Sequence, residues 1–246
     1  NVFAKDLILH LIGKLGMEGA TYDSIELEGN VIEEMEMSGR FTICNMVVEM
    51  GAKSGLIKPD KITKEFFKKQ GKDITIDLSA DLDAKYKCII EIDVSEIEPT
   101  IACPYNPSNI KKVKELMGTK IDQVVIGSCT NGRIEDFRIA HKILKNKKIN
   151  DDVRLIIIPG SQKVLQSMIE ENLLNDFIEA GAVISPPTCG PCMGGHMGVL
   201  ARGEVGLFTT NRNFYARNGH KDSCVYLCNP AVAAYSALSG TINIPY

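Results

Sequence analysis

The sequence predicts an α/β protein with two α/β domains and mainly parallel sheets covered by helices. Strand-like and helix-like segments alternate regularly between residues 123 and 209, which is typical of a parallel sheet. The composition, 44% apolar and 24% charged, is that of a soluble globular protein. Pro99, Pro104 and Pro107 indicate a linker over residues 96–107. We therefore expect one domain over residues 1–98 and another over 99–246.

The first domain is predicted to mix helices with short strands. Apolar residues recur at helical spacing in its first fifteen residues, whereas residues 25–28 alternate as a strand does. Ser38 is a candidate N-cap for a second helix, and Pro59 ends the segment that follows it. The predicted elements are helices over 4–15, 38–51 and 62–69, and strands over 25–28, 74–78 and 88–94.

The second domain is predicted to be a parallel sheet whose loops carry polar and Gly-rich sequences. Each predicted strand is a short apolar run, and most are followed by a turn and a helix. The loops that follow begin at the carboxyl ends of strands, where parallel sheets bind their ligands. The predicted strands cover 123–126, 153–158, 182–185 and 205–209, with helices over 134–144 and after Ser161.

Charge and hydropathy exclude some classes of partner. The chain has 28 basic and 31 acidic side chains, a formal net charge of −3, which argues against nucleic acid or an anionic membrane as the main partner. No apolar run approaches the roughly 20 residues that cross a bilayer, and no secretory signal is visible. We expect a cytosolic protein. Because the first residue is Asn1, we also expect processing or a piece of a longer chain.

Three of the eight cysteines stand in loops that should converge. Cys129 follows the first buried strand of the second domain, and Cys189 and Cys192 form a Cys-x-x-Cys turn after the third. Three thiolates suit an iron–sulfur cluster. From spacing alone, a cluster, a zinc site that includes His196 and structural thiols stay equally open. A redox dithiol is disfavoured, because the pair lies late in the chain in a loop rich in proline and glycine. The remaining five cysteines are expected to be buried.

Two further sets of polar residues are candidates for a site. Asn45 and Glu49 stand four residues apart on an otherwise apolar helix. A carboxylate there is either catalytic or paired with a cation, and the sequence favours neither. Arg212 and Arg217 lie in a loop with several asparagines, including Asn211. Two guanidinium groups can bind the carboxylates of a small polyanion, although a solvated loop would be the default interpretation if the cysteines were not nearby.

Four segments together resemble the signatures of the aconitase family of hydro-lyases. They are residues 127–133 (Gly-Ser-Cys-Thr-Asn-Gly-Arg), 189–192 (Cys-Gly-Pro-Cys), 210–214 (Thr-Asn-Arg-Asn-Phe) and 42–46 (Thr-Ile-Cys-Asn-Met) followed by Glu49. The resemblance runs through nearly the whole chain in the right order. The Cys-Thr-Asn-Gly-Arg form is most similar to the branch of the family that is built from a large and a small subunit. The agreement of four segments favours a cluster over zinc or a dithiol.

The resemblance implies an aconitase-like fold and a [4Fe–4S] cluster. Cys129, Cys189 and Cys192 would be its three cysteine ligands, which leaves one iron open to substrate and water. The implied reaction isomerises a hydroxy di- or tricarboxylate by dehydration and rehydration. A Lewis acid is needed to remove the hydroxide, and a base is needed to take the neighbouring proton.

The same resemblance implies roles for five other side chains. Glu49 and Asn45 would be catalytic, with Glu49 assisting the hydroxyl as it leaves or returns. Asn45 and Asn211 would hydrogen-bond the cluster. Arg212 and Arg217 would bind the carboxylates of the substrate.

The resemblance also implies a partner. In the two-subunit branch the base is a serine on a swivel domain, which is a separate small subunit that also largely determines the substrate. The family's large subunit has a further domain at its N-terminus, so we expect this chain to cover only the second and third domains and to be inactive alone. A cluster-sensing regulatory protein and a zinc-stabilised structural piece are the non-enzymatic alternatives; the acidic charge balance counts against an RNA-binding form.

Overall fold

A computed structural model of the chain describes residues 2–75 and 79–244. None of the helices found there is long and apolar enough to cross a membrane. The helices are α1 (Ala4–Leu15), α2 (Asn30–Glu34), α3 (Met37–Met46), α4 (Lys61–Lys68), α5 (Ile134–Leu144), α6 (Gln162–Glu170), α7 (Leu173–Ala180) and α8 (Pro230–Ser239). The strands are β1 (Ser24–Glu26), β2 (Ser54–Leu56), β3 (Thr100–Ala102), β4 (Ile110–Lys112), β5 (Gln123–Gly127), β6 (Arg154–Ile158), β7 (Val183–Ile184), β8 (Val205–Phe208) and β9 (Cys224–Leu227).

A seven-stranded, mostly parallel sheet is the centre of the fold. Its strand order is β4-β3-β9-β8-β5-β6-β7, and the five strands from β9 to β7 are parallel. Only β3 runs antiparallel to both of its neighbours. From β5 the chain proceeds to β6 and β7 on one side and then returns to β8 and β9 on the other. The direction of winding therefore reverses between β5 and β8, which is where open α/β sheets bind ligands.

Helices cover both faces of this sheet. Side chains alternate along β5, so that Val124 and Ile126 join a core formed with α5, α7 and α8, whereas Val125 joins a core on the opposite face. The second core is completed by α1 and α3, through residues that include Ile8 and Met46. The mostly parallel α/β class predicted from the sequence is confirmed. The division at residues 98/99 stays a prediction.

A buried carboxylate anchors α1 to the sheet. Asp6 is fully buried and accepts hydrogen bonds from the backbone N–H of Thr100 at 2.8 Å and from Nδ2 of Asn229 at 2.9 Å. Because a buried charge is costly without such donors, the contacts fix where the helix begins. The predicted bounds of this helix, 4–15, agree with the structure.

The predicted elements of the second half are largely confirmed. The helix over 134–144 has the predicted bounds, and the hydroxyl of Ser161 caps α6 by accepting from Val164 N at 3.2 Å. The predicted strands match β5 to β8 to within one or two residues. The sequence analysis did not identify β4, β9, α7 or α8.

Two predicted strands of the first half are not supported. Residues 88–93 form no strand, because this segment lies exposed on the surface and has no partner strand to bury its apolar side chains. Ile74 and Thr75 are not in a strand either, and residues 76–78 of that prediction lie outside the described residues.

The predicted linker over 96–107 and the predicted N-cap Ser38 are both wrong. The linker contains β3, which is buried in the main sheet in spite of the prolines around it. Helix α3 begins at Met37 with Glu36 as its N-cap, and it ends at Met46, after which a 3₁₀ turn covers Val47–Met50.

Candidate functional site

Loops from three strands meet the end of α3 at the carboxyl edge of the sheet. They follow β5, β7 and β8, and they carry Cys129, the Cys189–Cys192 pair and Asn211. The loops after β5 and β8 are neighbours because these strands are paired in the sheet. This is the point at which the winding reverses.

The loop after β5 leaves the sheet through a turn that requires glycine. Gly127 has φ +125°, and a Cβ there would lie 1.9 Å from the carbonyl oxygen of Ile158. Ser128 follows with φ +71° and donates its backbone N–H to that carbonyl at 2.8 Å. The turn directs Cys129 away from the sheet, and its side chain is exposed.

Thr130 connects the two sides of the site. Its hydroxyl accepts a hydrogen bond from Nδ2 of Asn45 at 2.6 Å and donates to Oδ1 of Asn211. Its backbone carbonyl accepts from the hydroxyl of Thr42 at 3.0 Å. The thiol of Cys129 lies 3.9 Å from the same amide oxygen of Asn211. Asn45 and Asn211, which the sequence analysis selected separately, are thus joined through one side chain.

Glu49 is paired with Arg212. The two atoms Oε1 and Nε are 2.7 Å apart, and the side chain of Glu49 is only 3% exposed. Burial raises the pKa of the Glu49 carboxyl, and the guanidinium of Arg212 acts in the opposite direction. In this structure Glu49 is therefore paired with a cation, which is one of the two alternatives that the sequence left open. That cation, Arg212, is itself a candidate site residue.

Arg217 connects the loop after β8 to the Cys-x-x-Cys turn. Its Nε donates to the carbonyl of Cys192 at 2.9 Å, and Nδ2 of Asn218 donates to the carbonyl of Pro191 at 3.1 Å. Gly194 packs so closely that a Cβ there would lie 2.3 Å from the carbonyl oxygen of Arg217. The two loops are therefore held against each other through the backbone.

The three candidate thiols lie on adjoining loops but do not form a site for a single ion. Cys129 and Cys189 are exposed, Cys192 is half-buried, and all three are free thiols. Across residues 2–75 and 79–244, no three or more His, Cys, Asp or Glu side chains are grouped so that they could hold one metal ion.

The other five cysteines agree only in part with the expectation of burial. Cys103 and Cys228 are buried, Cys44 and Cys224 are half-buried, and Cys88 is exposed. The expectation is wrong for Cys88, since residues 81–91 are all exposed.

Unsatisfied polar atoms are concentrated in the same loops. Six buried side-chain atoms have no hydrogen-bond partner among the described residues, and all six lie between residues 128 and 133 or between 210 and 218. Because buried polar groups are normally paired, these loops are suited to a polar ligand or to bound water. The atoms are Ser128 Oγ, Asn131 Oδ1, Arg133 Nε, Thr210 Oγ1, Asn213 Oδ1 and Asn218 Oδ1.

Sequence reasoning missed Thr130 and a buried lysine. Lys5 is fully buried and donates from Nζ to the carbonyls of Thr209 and Thr210, at 2.8 and 2.7 Å. Burial lowers the pKa of Lys5 to about 8. A signal was available, because Lys5 lies on the same helical stripe as the apolar residues 8, 9 and 12. A lysine on an apolar stripe is unusual and indicates a buried partner.

The chain is similar to large subunits of 3-isopropylmalate dehydratase. It is 55% identical over 244 residues to the protein of that name from Thermodesulfovibrio yellowstonii, and 52% identical over 245 residues to that from Heliobacterium modesticaldum. A "3-isopropylmalate dehydratase large subunit 1" from Methanopyrus kandleri is 49% identical over 244 residues. These matches cover at least 99% of this chain but only 58% of each relative.

A family model gives the same result over most of the chain. The model described as "Aconitase family (aconitate hydratase)" matches residues 1–240. The match includes α1, the end of α3 and all the loops of the site. The chain belongs to the aconitase family.

Proposed function

We propose that this chain is the cluster-binding large subunit of an iron–sulfur hydro-lyase. The proposed enzyme isomerises a hydroxy di- or tricarboxylate by dehydration and rehydration, as a 3-isopropylmalate dehydratase of leucine biosynthesis in the cytoplasm. One observation carries the proposal. Two arginines, a buried carboxylate and loops bearing three free thiols meet at the sheet's winding reversal, in a chain 55% identical to a dehydratase large subunit.

The donor chemistry fits an iron–sulfur cluster. Cys129, Cys189 and Cys192 are free thiols on loops that contact one another or a common third loop, and soft iron ions prefer thiolates. In a cluster each thiolate binds a different iron atom, so that the thiols need not meet at one ion. The unsatisfied polar atoms of these loops are available as donors and acceptors around such a group. When bound, the cluster would supply a Lewis acid that polarises a substrate hydroxyl.

The two arginines are proposed to bind the carboxylates of the substrate. The guanidinium of Arg212 is one-third exposed beside Glu49, and Arg217 uses only its Nε for the contact with Cys192. Both therefore keep N–H groups that can form paired hydrogen bonds with a carboxylate. A di- or tricarboxylate bound there would share Arg212 with Glu49.

Glu49 is proposed to hold the proton that accompanies the departing or returning hydroxyl. Burial raises its pKa, and Arg212 is the main influence that lowers it. If a substrate carboxylate takes over part of that guanidinium, the affinity of Glu49 for a proton rises. Asn45 and Asn211 are proposed to orient the site through hydrogen bonds, since both are already held by Thr130.

The proposed partner is a small subunit with a swivel domain that supplies a catalytic serine base. The name "large subunit" of the relatives supports a small-subunit partner. We further propose that residues 1–98 and 99–246 are the second and third domains of the family, and that turnover requires the partner. The alternative assignment is a homoaconitase large subunit. Activity assays with the substrate of each enzyme, in the presence of each kind of small subunit, distinguish the two assignments.

Anaerobic reconstitution with iron and sulfide tests the proposal. We expect the wild-type chain to gain the broad visible absorption and the EPR spectrum, after reduction, of an iron–sulfur cluster. Cys129→Ser, Cys189→Ser and Cys192→Ser should each lose most of the bound iron and sulfide. Cys88→Ser is the matched control. The thiol of Cys88 is exposed, lies far from the site residues in the sequence and belongs to no loop of the site.

Two results would contradict the proposal. One is the binding of zinc without acid-labile sulfide, which would favour a structural or regulatory metal site. The other is equal retention of iron and sulfide in the three variants, which would exclude these thiols as ligands.

A further inference from the structure

A buried cation lies directly beneath the site. Lys5 is fully buried near the start of α1, and its Nζ lies within hydrogen-bond distance of two carbonyl oxygens, those of Thr209 and Thr210. Removing an ammonium group from water is costly, and neutral carbonyls compensate for this only in part. A methionine would fill a similar volume without that cost. The charge or the donors of Lys5 therefore call for an explanation beyond packing.

The two carbonyls belong to the turn that presents the site residues. Thr209 makes the last contact with β5, by donating its N–H to the carbonyl of Val125 at 2.9 Å. In a continuing strand, successive carbonyls point in opposite directions. Here two successive carbonyls are bonded to one ammonium, so the chain has turned, and the next two residues are Asn211 and Arg212.

Both threonines are fully buried. Without Lys5, their carbonyls would have to find other donors in the interior, because an unpaired buried carbonyl costs free energy. The turn would then be free to adopt another direction. A small rotation there would move Asn211 away from Thr130, and Arg212 away from Glu49.

We propose that Lys5 is a positioning residue: its ammonium fixes the turn after β8 so that Asn211 reaches the loop of Cys129 and Arg212 reaches Glu49. Any effect of Lys5 on catalysis rests on the proposed function, whereas the placement of the turn does not depend on it. The positive charge of Lys5 also lies within electrostatic reach of Cys129 and Cys192, where it would favour a negatively charged group bound by those thiols.

Hydrogen–deuterium exchange on the complete chain tests the positioning role without any cofactor. In Lys5→Met, the amides of Thr209 and Gly127 are expected to exchange at least tenfold faster than in the wild type, because they are hydrogen-bonded to the carbonyl of Val125 and to the hydroxyl of Thr209. Two matched variants keep Lys5. Ile8→Ala removes buried packing from the same helix, and Lys14→Met makes the same substitution at an exposed position of α1. Both should leave those amides within about threefold of the wild type once exchange is corrected for global stability.

An increase below threefold in Lys5→Met, or an equal increase in Ile8→Ala, would overturn the proposal. Should Lys5→Met fail to fold, a measurement on the wild type decides the question. The ¹⁵N-labelled ammonium of Lys5 should exchange its protons slowly and show scalar couplings across hydrogen bonds to the ¹³C carbonyls of Thr209 and Thr210. The absence of both couplings from a visible ammonium signal, or an ammonium that exchanges as fast as that of Lys14, would overturn it.

The reconstituted chain provides a spectroscopic readout that distinguishes the two proposals. Lys5→Met should shift the reduction potential of the bound cluster to a more negative value and alter its EPR spectrum, because a nearby positive charge is lost. Ile8→Ala should do neither. If the wild type binds no cluster, the proposed function fails, whereas the exchange test of Lys5 keeps its meaning.

Discussion

The helical part (residues 2–75) and the sheet part (residues 99–244) contribute to the site in different ways. The side chains from the helical part, Asn45 and Glu49, are already bonded to partners in the sheet part. The thiols of Cys189 and Cys192 have no hydrogen bond from a described residue. The protein itself therefore fixes the amide and the carboxylate, whereas these two thiols are free and the thiol of Cys129 contacts Thr130 and Asn211. The position of the helical part should then determine the geometry of the site.

The ion pair between Arg40 and Asp60 holds the helical part together. Arg40 is buried and bonded to Asp60 at 2.6 Å, and it also donates to the carbonyls of Glu33 and Met35. Arg40→Leu should lower the free energy of unfolding by about 3 kcal/mol, because a buried guanidinium and its four hydrogen bonds to buried or partly buried acceptors are lost. Urea denaturation measures the change. Lys61→Leu, which removes an exposed pair with Glu65, should cost no more than about 0.5 kcal/mol.

A loss of stability below 1 kcal/mol in Arg40→Leu would mean that packing alone holds the helical part together, and that the contacts of Arg40 do not. Urea denaturation of Asp60→Asn measures how much of this stability comes from the charge pair, because that variant keeps the hydrogen bonds from Arg40 to the backbone carbonyls.

Arg212→Met tests the link between the two parts. The buried carboxylate of Glu49 would lose its cation, and we expect a cost of about 2 kcal/mol at pH 7, reduced from the value for a fully buried pair because Arg212 is one-third exposed. Burial then acts on Glu49 without its main opposing influence, so its pKa in the folded variant lies above the unfolded value. Protonation favours the folded variant, and its stability should increase as the pH falls from 7 to 5.

The double variant Glu49→Gln with Arg212→Met is the control for this pH dependence. It should show only the smaller increase that other buried carboxyl groups such as Asp136 contribute, because no carboxyl group remains at the site of the pair. Denaturation curves at several pH values provide the measurement. An increase of equal size in the double variant would assign the effect to another group.

Asp136 differs from Glu49, because it is a buried carboxylate of the sheet part with no cation as a hydrogen-bond partner. It accepts from Nδ2 of Asn131 and from the backbone N–H of Arg133, both at 3.0 Å, and burial raises its pKa to about 6. Because the pKa of Asp136 is higher in the folded than in the unfolded state, protonation of this carboxyl stabilises the fold. This stabilisation is complete below the unfolded pKa and is lost as the pH rises through about 6. The stability of the wild type relative to Asp136→Asn should therefore increase by about 1 kcal/mol between pH 7 and pH 5.

Thermal unfolding at matched ionic strength measures the relative stability of this pair of proteins. A difference that stays constant with pH would mean that Asp136 is ionised in the fold throughout this range. The hydrogen bonds from Asn131 and Arg133 would then outweigh burial.

Much of the fold could be predicted because buried strands leave a clear signal. The five residues of β5 are all buried and mostly apolar, and the run alone identified the strand. The short strand β3 could not be identified in this way, because the prolines around it are typical of a linker. The exposed segment 88–93 gave the opposite error. Its alternating sequence resembles a strand, but no strand of the described residues pairs with it, and of its apolar side chains Ile92 packs against a core.

The sequence offered candidates for the site, but their pairing could not be predicted. Glu49 and Arg212 are 163 residues apart, and no local pattern connects them. Each was a candidate because a carboxylate on an apolar helix and two arginines in an Asn-rich loop are unusual. Thr130 lies in the segment 127–133 that carries the resemblance, but nothing in the sequence indicates that its hydroxyl joins Asn45 to Asn211.

The smallest predicted effect compares one serine in each part. The hydroxyl of Ser161 caps α6 in the sheet part through a bond of 3.2 Å, so Ser161→Ala should cost about 0.5 kcal/mol, at the low end for an N-cap. Ser38, which the sequence suggested as a cap, lies inside the first turn of α3. Ser38→Ala should be neutral or slightly stabilising, because alanine is the better helix former. Urea denaturation of both variants measures the difference. A loss in Ser38→Ala as large as that in Ser161→Ala would mean that α3 begins one residue after Ser38, and Glu36 would then not be its cap.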